Sequence, residues 1–375
     1  MQKQIQAAEQ TISKDAYFQE MRETWDCTRE YMLKKLSELE AINKRAALAI
    51  QENAVVKKRL SLEKQNVNLR PFLMRLSFEA CRGYDWKRII PACAAAEFLN
   101  ISTYIINAIF DEKGESRKDI NQYIIAGMVF RDLASECLLE ANVSLSPEEN
   151  REISQRLIEI NKLSYIGQHI DLYQLKKENI ADFNSFEEMK ILYLDRTEKI
   201  CGKFMENIAC IGAILADATA EQLETLKNFG LSYGNGVQIA NDLGDFVLGT
   251  SQAVDFEKTY KDQYSDIRHG KLTYPIILGL EIAEETPVKA LLGKDNVNYK
   301  ELELLTRYLK ESGIFEKIKE LSKAEYYECK RTLRNLPKSE ARSMLSLMAS
   351  MLRSNKYFTF FRKLEETKPL NSNSL

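Results

Sequence analysis

From Ser13 to about Lys58, apolar and charged residues alternate at helical spacing. Tyr17, Met21 and Trp25, then Met32, Leu36 and Leu39, mark the apolar positions. The same period continues over about 72–82, 87–110, 119–142, 148–177 and 184–215. It resumes over 220–249, 271–284, 297–312, 315–334 and 338–354. Breaks fall between these runs, at Asn66–Pro71, Gly83, Gly114, Ser146-Pro147, Pro287 and Pro337. Ser146-Pro-Glu-Glu149 has the form of a helix start: a capping serine, a proline at the first helical position and a glutamate reaching back. No strand-length alternation, hairpin turn between β runs, fixed-period repeat or low-complexity tract is present. The pattern predicts an all-α domain of ten or more helices. Its longest irregular stretch, about 250–270, is polar and rich in Lys and Asp, a length of connection that more often serves function than spacing.

Composition sharpens this picture. Only 15 Gly and 7 Pro occur in 375 residues, which favours long helices over a loop-rich β protein. Lys and Arg number 53 against 55 Asp and Glu, so nucleic acid is not expected as a partner. Seven scattered cysteines form no CxxC pair, and the N-terminus MQKQIQAAEQ has no apolar leader, which together point to a reducing cytoplasm. The apolar run Ile89–Phe110 contains Glu97 near its middle; it reads as the central helix of a large helical protein rather than a membrane span. Lys356–Lys363 mixes aromatics with cations and reads as a packed terminal helix, so membrane contact is at most peripheral. Three regions are expected: an N-terminal helical extension over 1–60, a helical domain over 61–355 and a tail over 356–375, disordered from Thr367.

Two apolar helices carry oxygen-bearing side chains one turn apart. Asn107 and Asp111 share a face, as do Asn241 and Asp245, with Asp242 beside them and Gln238 one turn earlier. Facing helices of this kind can hold Mg²⁺, which keeps several waters and needs few protein oxygens, and the metal can bind a diphosphate. Lys271 follows the long polar stretch and supplies a cation. Helix caps and solvated faces produce the same pattern, and the spacing alone does not choose.

Five ordered segments then resemble the trans-isoprenyl diphosphate synthases, also called polyprenyl synthetases. Leu69-Arg-Pro-Phe-Leu-Met-Arg-Leu-Ser-Phe-Glu79 is similar to the segment that follows that family's GKR motif. Glu97–Asp111 resembles its first aspartate-rich helix, and Gly167-Gln-His-Ile-Asp171 its GQxxD element. Gly234–Phe246 resembles the second aspartate-rich motif, and Asp266–Leu278 the run written GK-x-T-x-P-x-I-L. The resemblance implies a helical bundle around a deep cavity, usually homodimeric, in which Mg²⁺ binds an allylic prenyl diphosphate. By position it implies metal contacts from Asn107, Asp111, Asn241, Asp242 and Asp245. Substrate contacts fall on Arg70, Arg117, Gln168 and Lys271, with Lys271 and Gln238 serving catalysis.

The departures bear on the reaction. Where the first motif is DDxxD, this chain has Asn107, Ala108 and Asp111. Asn66-Val67-Asn68 stands for GKR, and the lysine of the K-T/S-G element falls on Ile200, with Lys199 one position off. The paired arginines reduce to Ser116 and Arg117. Each lost cation–phosphate contact is worth about 1.5–3 kcal/mol. Three or four losses sum to ~5–10 kcal/mol, enough to abolish useful binding of a second diphosphate such as isopentenyl diphosphate. Three functions stay open: a divergent prenyl-diphosphate enzyme, a terpene synthase-like enzyme that ionises or cyclises one prenyl diphosphate, and a non-catalytic subunit or prenyl-lipid binder, the last in a heteromer with an active synthase. His169 and His269 are not expected to pair on a metal, and Cys201 reads as a buried small residue rather than a nucleophile.

Overall fold

The structure, a computed structural model, describes residues 12–61, 69–111, 116, 118–141, 145–246, 264–294 and 296–353. In chain order the helices are α1 (Lys14–Gln51), α2 (Ala54–Leu60), α3 (Leu69–Ala80), α4 (Ile90–Phe110), α5 (Ile120–Leu139), α6 (Pro147–His169), α7 (Phe186–Thr197) and α8 (Lys203–Ile214). They continue as α9 (Ala220–Gly244), α10 (Ser265–Arg268), α11 (Tyr274–Ile282), α12 (Pro287–Leu291), α13 (Tyr299–Glu311), α14 (Ile314–Thr332) and α15 (Glu340–Arg353). No strand occurs among the described residues, as the all-α expectation requires. One isolated antiparallel bridge joins Lys176 and Lys271. The described residues form two compact units. The first draws on Met1–Gln168, Glu198–Gly234 and Cys329–Leu347, the second on His169–Thr197, Asn235–Glu328 and Met348–Leu375.

In the first unit α4 packs against α3 and α5, α3 against α8, and α1 against both α3 and α4. The run expected as one helix from Ser13 to Lys58 is interrupted. Asn43 leaves helical geometry (φ −156°, ψ 105°) and its side chain accepts from the Ala46 amide (3.0 Å), restarting α1. Asn53 then caps α2 through the Val55 amide (2.9 Å). Pro71 does not end a helix as a break would; it sits in the first turn of α3, where its missing N–H costs nothing. The Ser146–Glu149 start is as the sequence reads: Ser146 N–H donates to Glu149 (2.7 Å) and Glu149 N–H to Ser146 Oγ (3.2 Å). Gly212 permits the close approach of α8 to α3, since a Cβ there would lie 2.4 Å from the Met74 carbonyl oxygen.

Helix α4 is the core helix foreseen. Trp86–Phe110 is long and apolar enough to cross a membrane, yet 72% of its apolar window is buried within the protein. Phe98 meets Phe130 of α5 edge-on, with ring centroids 5.4 Å apart. Within it the fully buried Glu97 accepts from the Asn100 amide with both oxygens (3.1 Å each). Burial raises its pKa against the pull of Arg59 and Arg70. A carboxyl raised in the folded state contributes stability below its unfolded pKa and loses it as pH rises through the folded value. Glu97→Gln is therefore expected to melt with the wild type at the acid end of a pH series and above it at neutral pH.

All seven cysteines are free, and six are buried. Burial pushes the thiols of Cys81, Cys93, Cys137 and Cys210 up to about 12. Cys201 is buried as well, as a small packed residue should be.

The second unit is built on a core that includes Leu243, Phe246, Ile267, Ile276, Leu305 and Ile314. Helix α11 packs on α7 and α12, and α12 on α13. Ile170–Gln174 forms a π-helical turn, so the run expected as one helix over 148–177 changes pitch before it ends. Likewise 184–215 divides into α7, a π-helical turn at Glu198–Gly202 and α8. The helix expected over 271–284 begins only at Tyr274. Gly270 adopts φ +63°, and the chain beyond it pairs with the 175–177 backbone: Leu272 N–H donates to Leu175 O and Lys177 N–H to Gly270 O, each at 2.8 Å. That pairing holds Lys271 outside the helix.

Candidate functional site

Within the second unit, four chain segments converge on buried charge. The π-helical turn presents Asp171, α7 presents Tyr193 and Arg196, the last turns of α9 present Gln238 and Asp242, and the bridge presents Lys271. The Arg196 guanidinium donates to Oδ1 of Asp171 from Nε (2.8 Å) and Nη2 (2.6 Å), and to Oδ2 of Asp242 from Nη1 (2.9 Å). Lys271 Nζ lies 2.9 Å from Oδ2 of Asp171. Tyr193 OH donates to Oδ2 of Asp242 and Gln238 Nε2 to its Oδ1, both at 2.7 Å. Asp171, Arg196, Asp242 and Lys271 are all at least nine-tenths buried. Charges taken so far from water persist only when several hydrogen bonds meet each of them, which is what the two carboxylates receive.

Asp245 lies one turn beyond Asn241, but its carboxylate is turned to the chain. Oδ1 accepts from the Ser265 amide (3.2 Å) and hydroxyl (3.3 Å), and Oδ2 from the Asp266 amide (3.0 Å). Its own carbonyl accepts from Tyr264 N–H (2.9 Å). Tyr264 takes a left-handed conformation (φ 57°), held by the fully buried ring and by a 2.9 Å hydrogen bond between its hydroxyl and that of Thr306. Asp266 follows, and burial first, then the neighbouring Asp245, raises its pKa well above the usual carboxylate range, with Lys271 pulling the other way. Asn241 is exposed at the surface of α9.

In the first unit Asn107 and Gln168 meet: Gln168 Nε2 donates to Asn107 Oδ1 at 2.8 Å. Ala108, which follows Asn107, is buried, and its carbonyl accepts from Ser116 Oγ (2.8 Å). Asp111 is half-buried at the C-cap of α4. The Arg70 guanidinium lies over the Phe204 ring (4.6 Å), and its buried Nε has no hydrogen-bond partner among the described residues. Ile200, at the lysine position of the resemblance, packs where a Cβ on Gly167 would come within 2.6 Å of its Cγ1. Arg117, Asn66–Asn68, most of the 250–270 stretch, Gly114 and the Lys356–Lys363 segment lie outside the described residues. Among the described residues no group of three or more His, Cys, Asp and Glu side chains is arranged to hold a metal ion.

The family model described as "Polyprenyl synthetase" matches residues 60–309, two thirds of the chain. The chain belongs to the polyprenyl synthetase family. It is similar to the short chain isoprenyl diphosphate synthase of Methanocaldococcus jannaschii, at 28% identity over 252 residues, covering 65% of this chain and 72% of that protein. It is similar also to the geranylgeranyl pyrophosphate synthase of Geoglobus acetivorans, at 28% identity over 295 residues, 76% of this chain and 85% of the relative. The crystal structure of geranylgeranyl pyrophosphate synthetase from Pyrococcus horikoshii Ot3 shares the fold, with a TM-score of 0.72 at 23% identity over 91% of this chain and 99% of that one. Membership agrees with the helical prenyltransferase expected from the five motif segments.

Asp171, Tyr193, Arg196 and Asp266 belong to this buried group although the motifs assign them no role. Asp171 and Asp266 stand inside quoted motifs, whereas Tyr193 and Arg196 do not. A signal for them was present. Met189, Tyr193 and Arg196 follow i, i+4, i+7 spacing, so the arginine ends the apolar stripe of α7. A cation at a core position needs a buried anion, and Asp242 and Asp171 are its anions.

Proposed function

We propose that the chain is a divergent prenyltransferase-family enzyme that acts on an allylic prenyl diphosphate with Mg²⁺, and that it ionises this single diphosphate rather than condensing it with isopentenyl diphosphate. The observation that carries the reading is the buried group of Asp171, Arg196, Asp242 and Lys271, a rigid, charge-balanced frame of the kind that fixes a cation where a diphosphate departs. Arg70 supports it: a buried guanidinium nitrogen without a hydrogen-bond partner among the described residues suits an anionic ligand. Gln168, Lys271 and Arg117 are the further substrate contacts, with Lys271 and Gln238 the groups assigned to catalysis.

For Mg²⁺ the donor chemistry fits in part. Asn107 and Asp111 in the first unit, and Asn241 in the second, offer oxygens at exposed or half-buried positions, and a hydrated Mg²⁺ needs only one or two. Asp242 and Asp245 fit less well, since both oxygens of each already accept hydrogen bonds. Bound there, Mg²⁺ supplies charge neutralisation for the leaving diphosphate. The protein's own part is to orient that diphosphate through Lys271 and to keep water from an allylic cation by apolar walls. A homodimer is part of the same reading, and the exposed row Ile124, Ile125 and Met128 on α5 suits a second copy.

Incubation with geranyl, farnesyl and geranylgeranyl diphosphates, with and without isopentenyl diphosphate and Mg²⁺, tests this. The expected product is a hydrocarbon or alcohol that needs Mg²⁺ and is unchanged by isopentenyl diphosphate. A lengthened diphosphate would return the chain to ordinary elongation. Silence under every condition, a partner synthase included, would make it a non-catalytic member.

A further inference from the structure

The second acidic segment carries its own counter-charge. Arg196 is buried and spends all three nitrogens on two carboxylates, Nε and Nη2 on Asp171 and Nη1 on Asp242. The other oxygen of Asp171 is met by Lys271 and the other oxygen of Asp242 by Gln238, while Tyr193 OH shares Oδ2 with the guanidinium. A divalent ion approaching Asp242 would have to displace one of these donors and would stand beside a fixed positive charge, an arrangement that low-dielectric surroundings penalise heavily. We propose that Arg196 is a positioning residue that takes the place of a divalent cation at Asp242, so that this carboxylate is neutralised before metal or diphosphate arrives and the segment recruits fewer ions than Asn241, Asp242 and Asp245 together suggest. Arginine suits the task because its planar fork keeps its charge at any accessible pH and binds carboxylates along two edges. This inference rests on reading Asn241–Asp245 as the metal-facing segment, and its test needs no prenyl substrate, so loss of the proposed reaction would not decide it.

The experiment compares the full-length wild type with R196M, R196K and D242N, following Mn²⁺ binding by its EPR signal and thermal melting in EDTA or Mg²⁺. Without diphosphate, wild type and D242N are expected to bind the same number of Mn²⁺ ions. R196M is expected to gain one ion, to melt about 5–10 °C lower than wild type in EDTA, and to recover at least half that loss in Mg²⁺. R196K should keep the wild-type ion count. An ion bound by wild type and lost in D242N would overturn the proposal, because metal and Arg196 would then share the carboxylate. Equal melting of R196M with and without Mg²⁺ would overturn it too, since a purely structural arginine is not replaced by a metal. Should R196M fail to fold, the comparison of wild type with D242N still decides.

Discussion

Asp171→Ala is expected to lower the stability of the protein by about 3–5 kcal/mol, the loss typical of removing one partner from a buried, multiply bonded ion pair. Two contacts from Arg196 and one from Lys271 end on this carboxylate, and Arg196 keeps Asp242 as a second anion. The buried Lys271 ammonium loses the oxygen 2.9 Å away, which adds to the cost of the change. Asp171→Asn keeps an acceptor but not the charge, and an intermediate loss is expected. The contrast is Glu303→Gln in α13: its partner Arg307 is 3.5 Å away with both side chains at least half exposed, and a change within about 0.5 kcal/mol is expected. Denaturant titrations of the three variants check the order. An Asp171→Ala loss no larger than that of Glu303→Gln would show the buried group to be dispensable.

A second large effect concerns isopentenyl diphosphate. Its site in the family depends on the GKR cations, and this chain has Asn66-Val67-Asn68 instead. Two charge-assisted contacts restored by Val67→Lys with Asn68→Arg are worth about 3–6 kcal/mol, or about 10²- to 10⁴-fold in the use of isopentenyl diphosphate. The double variant is thus expected to form a lengthened diphosphate from geranyl diphosphate where the wild type forms none at the same enzyme concentration. Arg70, already present and carrying a buried nitrogen without a partner among the described residues, would join the restored pair. If elongation stays absent in the double variant, the loss lies in the first aspartate-rich helix, where Ala108 replaces a carboxylate.

Much of the helical fold was legible in the sequence. Periodicity places α5 within a few residues of its ends, and the Ser146–Glu149 signature starts α6 where the hydrogen bonds show it. Local rules fail where the determinant is distant. The 271–284 run keeps helical periodicity, yet Lys271 is drawn out by backbone pairing with Leu175 and Lys177, nearly a hundred residues earlier. Periodicity has no term for a π-helical turn, which changes pitch without changing polarity, so α7 and α8 read as one helix. The candidate site divides in the same way. Gln238, Asp242 and Lys271 are visible because each stands in a motif. The role of Asp245 as acceptor for Ser265 and Asp266 is invisible, because its partners lie twenty residues downstream. Arg196 stands in no motif, and its place at the end of the buried stripe Met189, Tyr193, Arg196 emerges only when α7 is viewed down its axis.

The cysteines have a practical consequence. All seven stand in segments of the first unit, at 27, 81, 93, 137, 201, 210 and 329, and the second unit has none. Thiols that are buried and held protonated do not react with an alkylating reagent until the surrounding chain opens. The natural sequence therefore carries a one-sided clock. Labelling rates across denaturant time the opening of the first unit alone, and the same melt followed by tyrosine absorbance registers both, so the order in which the two units come apart can be read without introducing a single probe.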